Sequence, residues 1–539
     1  VKPAEKSNKF IQGALTLTVA ALFIKILSAV YRVPFQNIVG DIGFYIYQQV
    51  YPIYGLALVF STYGFPVVIS KLYSERLNKH DLAGVKRLIF VSFLFLYLFG
   101  LVGFMVLYFG AEWIANVMKD PHLAILIKVI SIVFLIVPVI AVIRGCFQGE
   151  GNMLPTAYSQ VGEQFFRVTT ILAAAVILMN EQFNLYIVGA GAAFGSVTGG
   201  FVAAVILITF IWVRRKRLQK PYFELSELIH YRDIKVIIKT LFIEGFAICI
   251  SSMLLLFMQL ADAFNLYSLL ITSGINGEDA KELKGVYDRG QPLIQLGSVV
   301  ATSMALSLVP LIASEKVKNN FDSLYEKIQL SLKVSITIGL GATVGLMAIM
   351  KPTNIMLFKN SEGSEVLSVL SAMVLLSSVI ITIVSILQGL GLTIFPAIIM
   401  LIGFICKYFL NILFVPELGT WGAAASSNIA LLIVAVILLF KLYITIKRPL
   451  ISIGFLLKAA SAAITMYIVL YGLLMMTDVT YSFGPDRLIA AIQALASVFI
   501  GGLIYLLIVI RWKLFSVEEL TLLPFGSKIM KLFPKKNRS

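Results

Sequence analysis

Charged side chains are scarce, at 13% of 539 residues against about 25% in an ordinary soluble domain. That excludes a large soluble protein, whose surface must still be covered with polar groups. Cysteine is scarcer still. Cys146, Cys249 and Cys406 each lie in or beside an apolar run, with no second cysteine at metal or redox spacing. A disulfide scaffold is excluded, and the three are expected to be small buried hydrophobes. The only histidines are His80, His122 and His230, all in expected loops. The chain has no Gly-x-x-x-x-Gly-Lys loop, no His-Glu-x-x-His, no clear nucleophile constellation and no convincing acidic catalytic pair. It is therefore expected to be no enzyme, with no metal site, no bound cofactor and no ATP hydrolysis of its own.

What is abundant is grease. Hydrophobic residues make up 59% of the chain and mean hydropathy is +0.92. Leu88–Gly110, Val334–Met350 and Ala423–Leu439 carry no charge, and each approaches or exceeds the 18 residues or so that mark a bilayer span. The pattern predicts spans over 10–32, 44–70, 88–110, 123–147, 155–178, 185–213, 236–261, 291–313, 329–350, 364–387, 393–415, 419–440, 452–475 and 489–510. The fold class is thus an all-α polytopic membrane protein with fourteen transmembrane helices. The basic start (Lys2, Lys6, Lys9) leads into an apolar run interrupted by Lys25, with no small-residue cleavage site, so the run is expected to be a retained first helix.

Loop charge supplies an independent check. With both termini placed in the cytoplasm, inner segments hold 31 Lys/Arg and 12 Asp/Glu, and outer segments 7 and 14. This is the positive-inside bias. It also accounts for the formal charge of +16 without invoking nucleic acid. The basic loop 214–235 opens with Arg214, Arg215, Lys216 and Arg217; it is expected to set topology or to lie on anionic membrane lipids. The tail 511–539 mixes apolar and basic residues and has the same expected resting place.

One local pattern occurs twice. Gln148, Gly149 and Gly151 lead to Pro155, Gly162 and Arg167; Gln388, Gly389 and Gly391 lead to Pro396, Gly403 and Lys407. The copies stand 240 or 241 residues apart, each at an expected inner turn. That recurrence predicts two parallel six-helix lobes: an N-lobe over 1–213 and a C-lobe over 236–440, joined by the linker 214–235. Two C-terminal helices, 441–510, are appended before the tail.

Charge inside a bilayer is expensive and tends to face a cavity or a partner. Lys25, Arg32, Lys128, Glu163, Arg167, Glu244, Lys407 and Lys458 lie within the predicted spans, six of them basic. Lys128 and Lys458 sit near helix ends and can snorkel. Lys25 and Arg32, seven apart, fall on nearly one helix face. Glu163 and Arg167 are four apart, which suits an internal ion pair as well as substrate contact. Glu244 has no cation within one turn and is a candidate partner for Lys25 or Arg32. Arg144, at the inner end of its helix, is a further member. An exporter of cations should present carboxylates; a mainly basic interior suits a phosphate or diphosphate. Movement of such an anion couples naturally to the membrane potential, or to a monovalent cation gradient.

Specific residues add a family resemblance. The run from Lys25 to Pro34 (Lys-Ile-Leu-Ser-Ala-Val-Tyr-Arg-Val-Pro), Gly40-Asp41-Ile42-Gly43, and the pattern Tyr45-x-Tyr47-x-x-Val50-Tyr51-Pro52 carry most of it. The segment from Ser61 to Lys71 and the Gln148 turn add to it. Over essentially its full length the chain resembles the polysaccharide-exporter branch of the multidrug/oligosaccharidyl-lipid/polysaccharide (MOP) flippase superfamily. Within that branch it is similar to Gram-positive proteins related to the lipid II flippase and to stage V sporulation protein B. The resemblance implies a MATE-like pair of lobes around a cavity, with a groove at helices 13 and 14 for a polyprenyl tail. It also implies that Lys25 and Arg32 meet a diphosphate, and that Asp41 and Glu244 help close the cavity. The Gram-negative type adds an arginine on helix 7. None lies within 236–261, and Arg289 is the candidate substitute. The implied activity is flipping of lipid II by alternating access in the bacterial cytoplasmic membrane. The alternatives are another lipid-linked oligosaccharide, cation-coupled drug export keyed to Glu244, and a non-transporting scaffold. Expected partners are the polyprenyl-diphosphate-linked saccharide and cell-wall synthesis proteins, with the chain acting as a monomer.

Overall fold

The structure, a computed structural model, describes residues 20, 22–215, 231–299, 312, 315–316, 320–477, 486–516 and 519. The expected N-terminal segment 1–9, most of the basic loop (216–230), part of the predicted span 291–313, and the end of the tail lie outside these residues.

The described residues are helical, with no strand among them. α1 is Leu22–Asn78, α2 Leu82–Phe109, α3 Pro121–Gly149, α4 Leu154–Asn180 and α5 Leu185–Val213. α6, Tyr231–Thr240, continues through a π turn at Leu241–Gly245 into Phe246–Ser251. α7 is Leu254–Thr272 and α8 is Gly277–Asp288. α9 is Phe321–Phe358, α10 Ser364–Gly389, α11 Ile394–Leu418 and α12 Thr420–Ile446; α13 is Ile453–Thr477 and α14 Arg487–Arg511. All but α6 and α8 are long and apolar enough to cross a membrane, giving twelve candidate spans among the described residues.

Two predicted boundaries are corrected. The connection expected over 33–43 is helical, so the first two predicted spans join into one 57-residue run. At 1.5 Å per residue that is about 85 Å, far more than one hydrocarbon thickness of about 30 Å. The run breaks direction at Gly40, whose φ is +71°. The span expected over 236–261 is interrupted at Ser252–Met253, and α7 extends to Thr272. Asp262, expected in an outer loop, therefore lies mid-helix, where Lys407 neutralises it.

The chain divides into two compact units. One comprises Val1–Asp288 with Leu392–Ala423, the other Arg289–Gly391 with Ala424–Ser539. In the first, α1 to α8 pack with α11. Its α6 is tied to the α1–α2 corner by ions: Arg76 and Arg87 both donate to Asp233, at 2.8 and 2.7 Å, and Lys71 meets Glu244 at 3.0 Å. Burial alone would raise the Asp233 carboxyl, but the two arginines hold it below its usual range. In the second unit, α9 packs against α10, α13 and α14. There Tyr505 donates to the Thr337 carbonyl at 2.8 Å.

The doubled sequence pattern has a doubled geometry. Gly151 and Gly391 adopt left-handed φ values of +80° and +82°. Each N–H donates to the carbonyl three residues back, Gln148 or Gln388, at 2.9 Å. The helices leading into these turns break at the same offset. In α3 the Ser131 hydroxyl donates to the Lys128 carbonyl at 2.6 Å, and in α10 Ser371 donates to Ser368 at 2.5 Å. Serine back-bonding of this kind bends helices. A Cβ in a left-handed backbone costs roughly 1–2 kcal/mol. Gly151→Ala and Gly391→Ala are therefore each expected to lower the unfolding midpoint in detergent, with additive losses in the double variant.

Candidate functional site: a buried pair of arginines

Among the described residues the first unit buries three arginines. α3 carries Arg144, which donates to Glu163 at 2.8 Å, to Ser159 at 3.0 Å and to Thr62 at 3.1 Å. It also reaches the Ser61 carbonyl at 3.3 Å, inside the π turn Phe60–Gly64, where the helical bonding pattern is loosened. The ion pair of Glu163 is thus with Arg144 and not with Arg167, one of the two alternatives that the spacing of Glu163 and Arg167 left open. Arg144 is fixed and its charge is matched.

Arg167 stands differently. Gly195 and Gly199 let the α5 backbone lie on α4: a Cβ at either would meet the carbonyl of Arg167 or Glu163 at 2.9 or 2.6 Å. The Arg167 side chain turns instead toward α1, its guanidinium 4.8 Å from the Tyr54 ring centre and 5.4 Å from Tyr31. Nη2 reaches the Tyr31 hydroxyl at 3.4 Å, while Nε and Nη1 have no hydrogen-bond partner.

Arg32 shares this aromatic cluster. Its guanidinium lies 4.3 Å from the Tyr51 ring centre, on the ring that Arg167 approaches at 5.9 Å. None of its three nitrogens has a hydrogen-bond partner. Both arginines are 0% exposed. Neither has an ion pair among the described residues. Cation–π contact offsets part of the desolvation, yet a buried guanidinium without a counter-charge still costs several kcal/mol. Two of them on one tyrosine make a ready site for an anion with several oxygens. Lys25, half-buried and about two turns before Arg32 on α1, has no partner among the described residues.

The other predicted residues are accounted for by neighbours. Lys407 is 0% exposed and donates to Asp262 at 2.8 Å and to the Ala423 carbonyl at 2.7 Å. Asn411 and Tyr287 also donate to Asp262, at 2.9 and 3.1 Å. Glu244 pairs with Lys71 rather than with Lys25 or Arg32. Gln36 donates to Asp41 at 3.0 Å. Lys128 pairs with Glu112, and Lys458 reaches the Trp512 carbonyl. In the second unit, Arg289 donates to Asn360 at 2.5 Å and to Asn354 at 3.4 Å, over the Phe358 ring.

Sequence reasoning missed the tyrosines. Tyr47, Tyr51 and Tyr54 recur at four and three residues, the spacing of one helix face, and Tyr31 adjoins Arg32. Tyr31 and Tyr47 hydroxyls lie 2.9 Å apart. That spacing was a usable signal.

The family model described as polysaccharide biosynthesis protein matches residues 10–316. The chain belongs to that family. With it the chain belongs to the MOP superfamily of multi-pass membrane transporters. It is 44% identical to the uncharacterized membrane protein YabM of Bacillus subtilis (strain 168), over 98% of this chain and 97% of the relative. It is 26% identical to the lipid II flippase MurJ of the same organism, over 93% of this chain and 95% of that one. Among solved structures, the inward closed conformation of lipid II flippase MurJ matches with a TM-score of 0.66 at 18% identity. That match covers 93% of this chain and 99% of the other. An inward-facing multidrug resistance MATE transporter of the MOP superfamily matches at 0.63 and 17%, covering 80% and 98%. At these identities the structural likeness speaks for the fold, a multi-pass MATE/MOP-like helical architecture.

Proposed function

We propose that this transporter flips a polyprenyl-diphosphate-linked saccharide, peptidoglycan lipid II foremost, from the inner to the outer leaflet. The observation that carries the proposal is the pair of fully buried guanidiniums, Arg32 and Arg167, with no carboxylate partner among the described residues. Lys25 lies on the approach to them. A diphosphate headgroup supplies the missing negative charge, while its saccharide cannot cross hydrocarbon unaided. The family and the similarity to a lipid II flippase support the same class of cargo. Drug–cation antiport has less support, because Glu244 is paired with Lys71 at a half-exposed position.

The membrane arrangement proposed here has fourteen spans. α1 supplies two passes, on either side of Gly40, and the expected span 291–313 lies partly outside the described residues. The doubled turns support two parallel lobes, 1–213 and 236–440, with 441–510 offering a groove to the lipid tail and both termini in the cytoplasm. In alternating access the headgroup enters from the inner side, the lobes rock, and it leaves outside.

A second reading, another lipid-linked oligosaccharide of capsule or teichoic type, draws on the higher identity to YabM than to MurJ. Reconstitution with labelled lipid II and with a non-peptidoglycan polyprenyl diphosphate separates the two. Movement of lipid II is the expected result; movement of the other lipid alone would shift the assignment to the second reading.

A further inference from the structure

The aromatic cluster around the two arginines holds a hydroxyl that its neighbours do not use. Tyr54 of α1 is 2% exposed, and its Oη has no hydrogen-bond partner among the described residues. A buried tyrosine generally finds a partner for its hydroxyl. Two others in the cluster have done so. The Tyr31 and Tyr47 hydroxyls bond each other at 2.9 Å, and Tyr31 also accepts from Arg167 Nη2 at 3.4 Å.

Packing explains the ring of Tyr54 but not its hydroxyl. The ring centre lies 4.8 Å from the Arg167 guanidinium, a cation–π contact. Phenylalanine supplies such a face too, without a buried polar atom that costs stability when unsatisfied. Arg167 cannot receive the phenol proton, because a guanidinium has donors and no acceptor. Even an N–H aimed at Oη would leave that proton unspent. Arg167 Nε and Nη1 are themselves donors without acceptors. Glu163, one turn before Arg167 on α4, is committed to Arg144 at 2.8 Å. The contact of Tyr54 with Arg167 therefore places a neutral O–H beside charged N–H groups, with no oxygen to receive any of the three.

We infer that Tyr54 is a ligand-binding residue whose hydroxyl donates to an oxygen of the same phosphate that Arg167 holds. The inference rests on the diphosphate reading above and deepens it. A phosphate has several acceptor oxygens, so one group can receive the N–H donors of α4 and the O–H of α1 together. The guanidinium supplies charge; the phenol adds a directional donor that requires an oxygen acceptor. A single phosphate held this way would join α1 to α4.

The test is calorimetric titration of the full chain in detergent with a short-chain polyprenyl diphosphosugar, paired with thermal unfolding in the absence of that ligand. Tyr54→Phe keeps the ring and removes only Oη. It is expected to weaken binding by about 10- to 100-fold, the range of one hydrogen bond to a charged group. The unfolding temperature is expected to stay unchanged or to rise, since an unsatisfied hydroxyl has been removed. Equal affinity of wild type and Tyr54→Phe overturns the inference while leaving the anion site standing. Weaker binding together with a lower unfolding temperature assigns the hydroxyl to packing and also overturns it. Failure of Tyr54→Phe to fold does the same, because the inference requires the hydroxyl to be dispensable to the fold. No binding by wild type overturns the diphosphate reading and the role of Tyr54 together.

Discussion

Arg32→Met combined with Arg167→Met is expected to weaken binding of a polyprenyl diphosphate headgroup by at least about 100-fold while leaving thermal stability unchanged or improved. A hydrogen bond between charged partners contributes about 1.5–3 kcal/mol, and each guanidinium offers a fork of donors to phosphate oxygens. Removing one such bond at each arginine corresponds to about 3–6 kcal/mol. The stability half of the expectation runs the other way for a physical reason. Both cations are buried on tyrosine faces with five nitrogens unpartnered, so their removal relieves the empty protein of uncompensated charge. Arg→Lys at either position is expected to recover only part of the affinity, since an ammonium cannot bind in a bidentate way. Titration calorimetry and thermal unfolding in detergent read the two halves separately. Unchanged affinity with a marked loss of stability would mean that the arginines are structural.

The second large effect is expected at Asp262 and Lys407. Lys407→Met leaves a buried carboxylate with only Asn411 and Tyr287 as donors; Asp262→Leu leaves a buried ammonium facing the Ala423 carbonyl. Breaking such a pair by removing one partner costs about 3–5 kcal/mol. Both single variants are expected to unfold at much lower temperature. The double variant, with neither charge present, is expected to regain most of the loss. If it instead shows the sum of the two losses, the ion pair is not what holds α7 to α11.

The sequence made the membrane character and the internal duplication legible, because both depend on local features. A bilayer requires runs of about 20 apolar residues, and a left-handed turn requires residues such as Gly151 and Gly391 wherever it recurs. Ion-pair identity was much less legible. Glu163 and Arg167 have ideal helical spacing, yet α3 places Arg144 closer and the aromatic face of α1 draws Arg167 away. Lys71 and Glu244 are 173 residues apart in sequence, so nothing local announces their contact. The same blindness shifted the edge of a span. Asp262 looks like a loop residue in the sequence because its charge argues against burial, and Lys407, Asn411 and Tyr287, all distant in the chain, make its place in α7 tolerable. Lys25 and Arg32 are more legible, since cations in an apolar run stand out in the sequence itself, and neither has an ion pair among the described residues.

The role proposed for Arg32 and Arg167 is to carry a diphosphate headgroup through the membrane. Its most direct test is a headgroup-accessibility assay in proteoliposomes loaded with labelled lipid II, comparing wild type with the Arg32→Met, Arg167→Met double variant at matched protein density. The expected result is rapid outward exposure of the headgroup with wild type and a rate at the protein-free background with the variant. Full translocation by the folded double variant would contradict it.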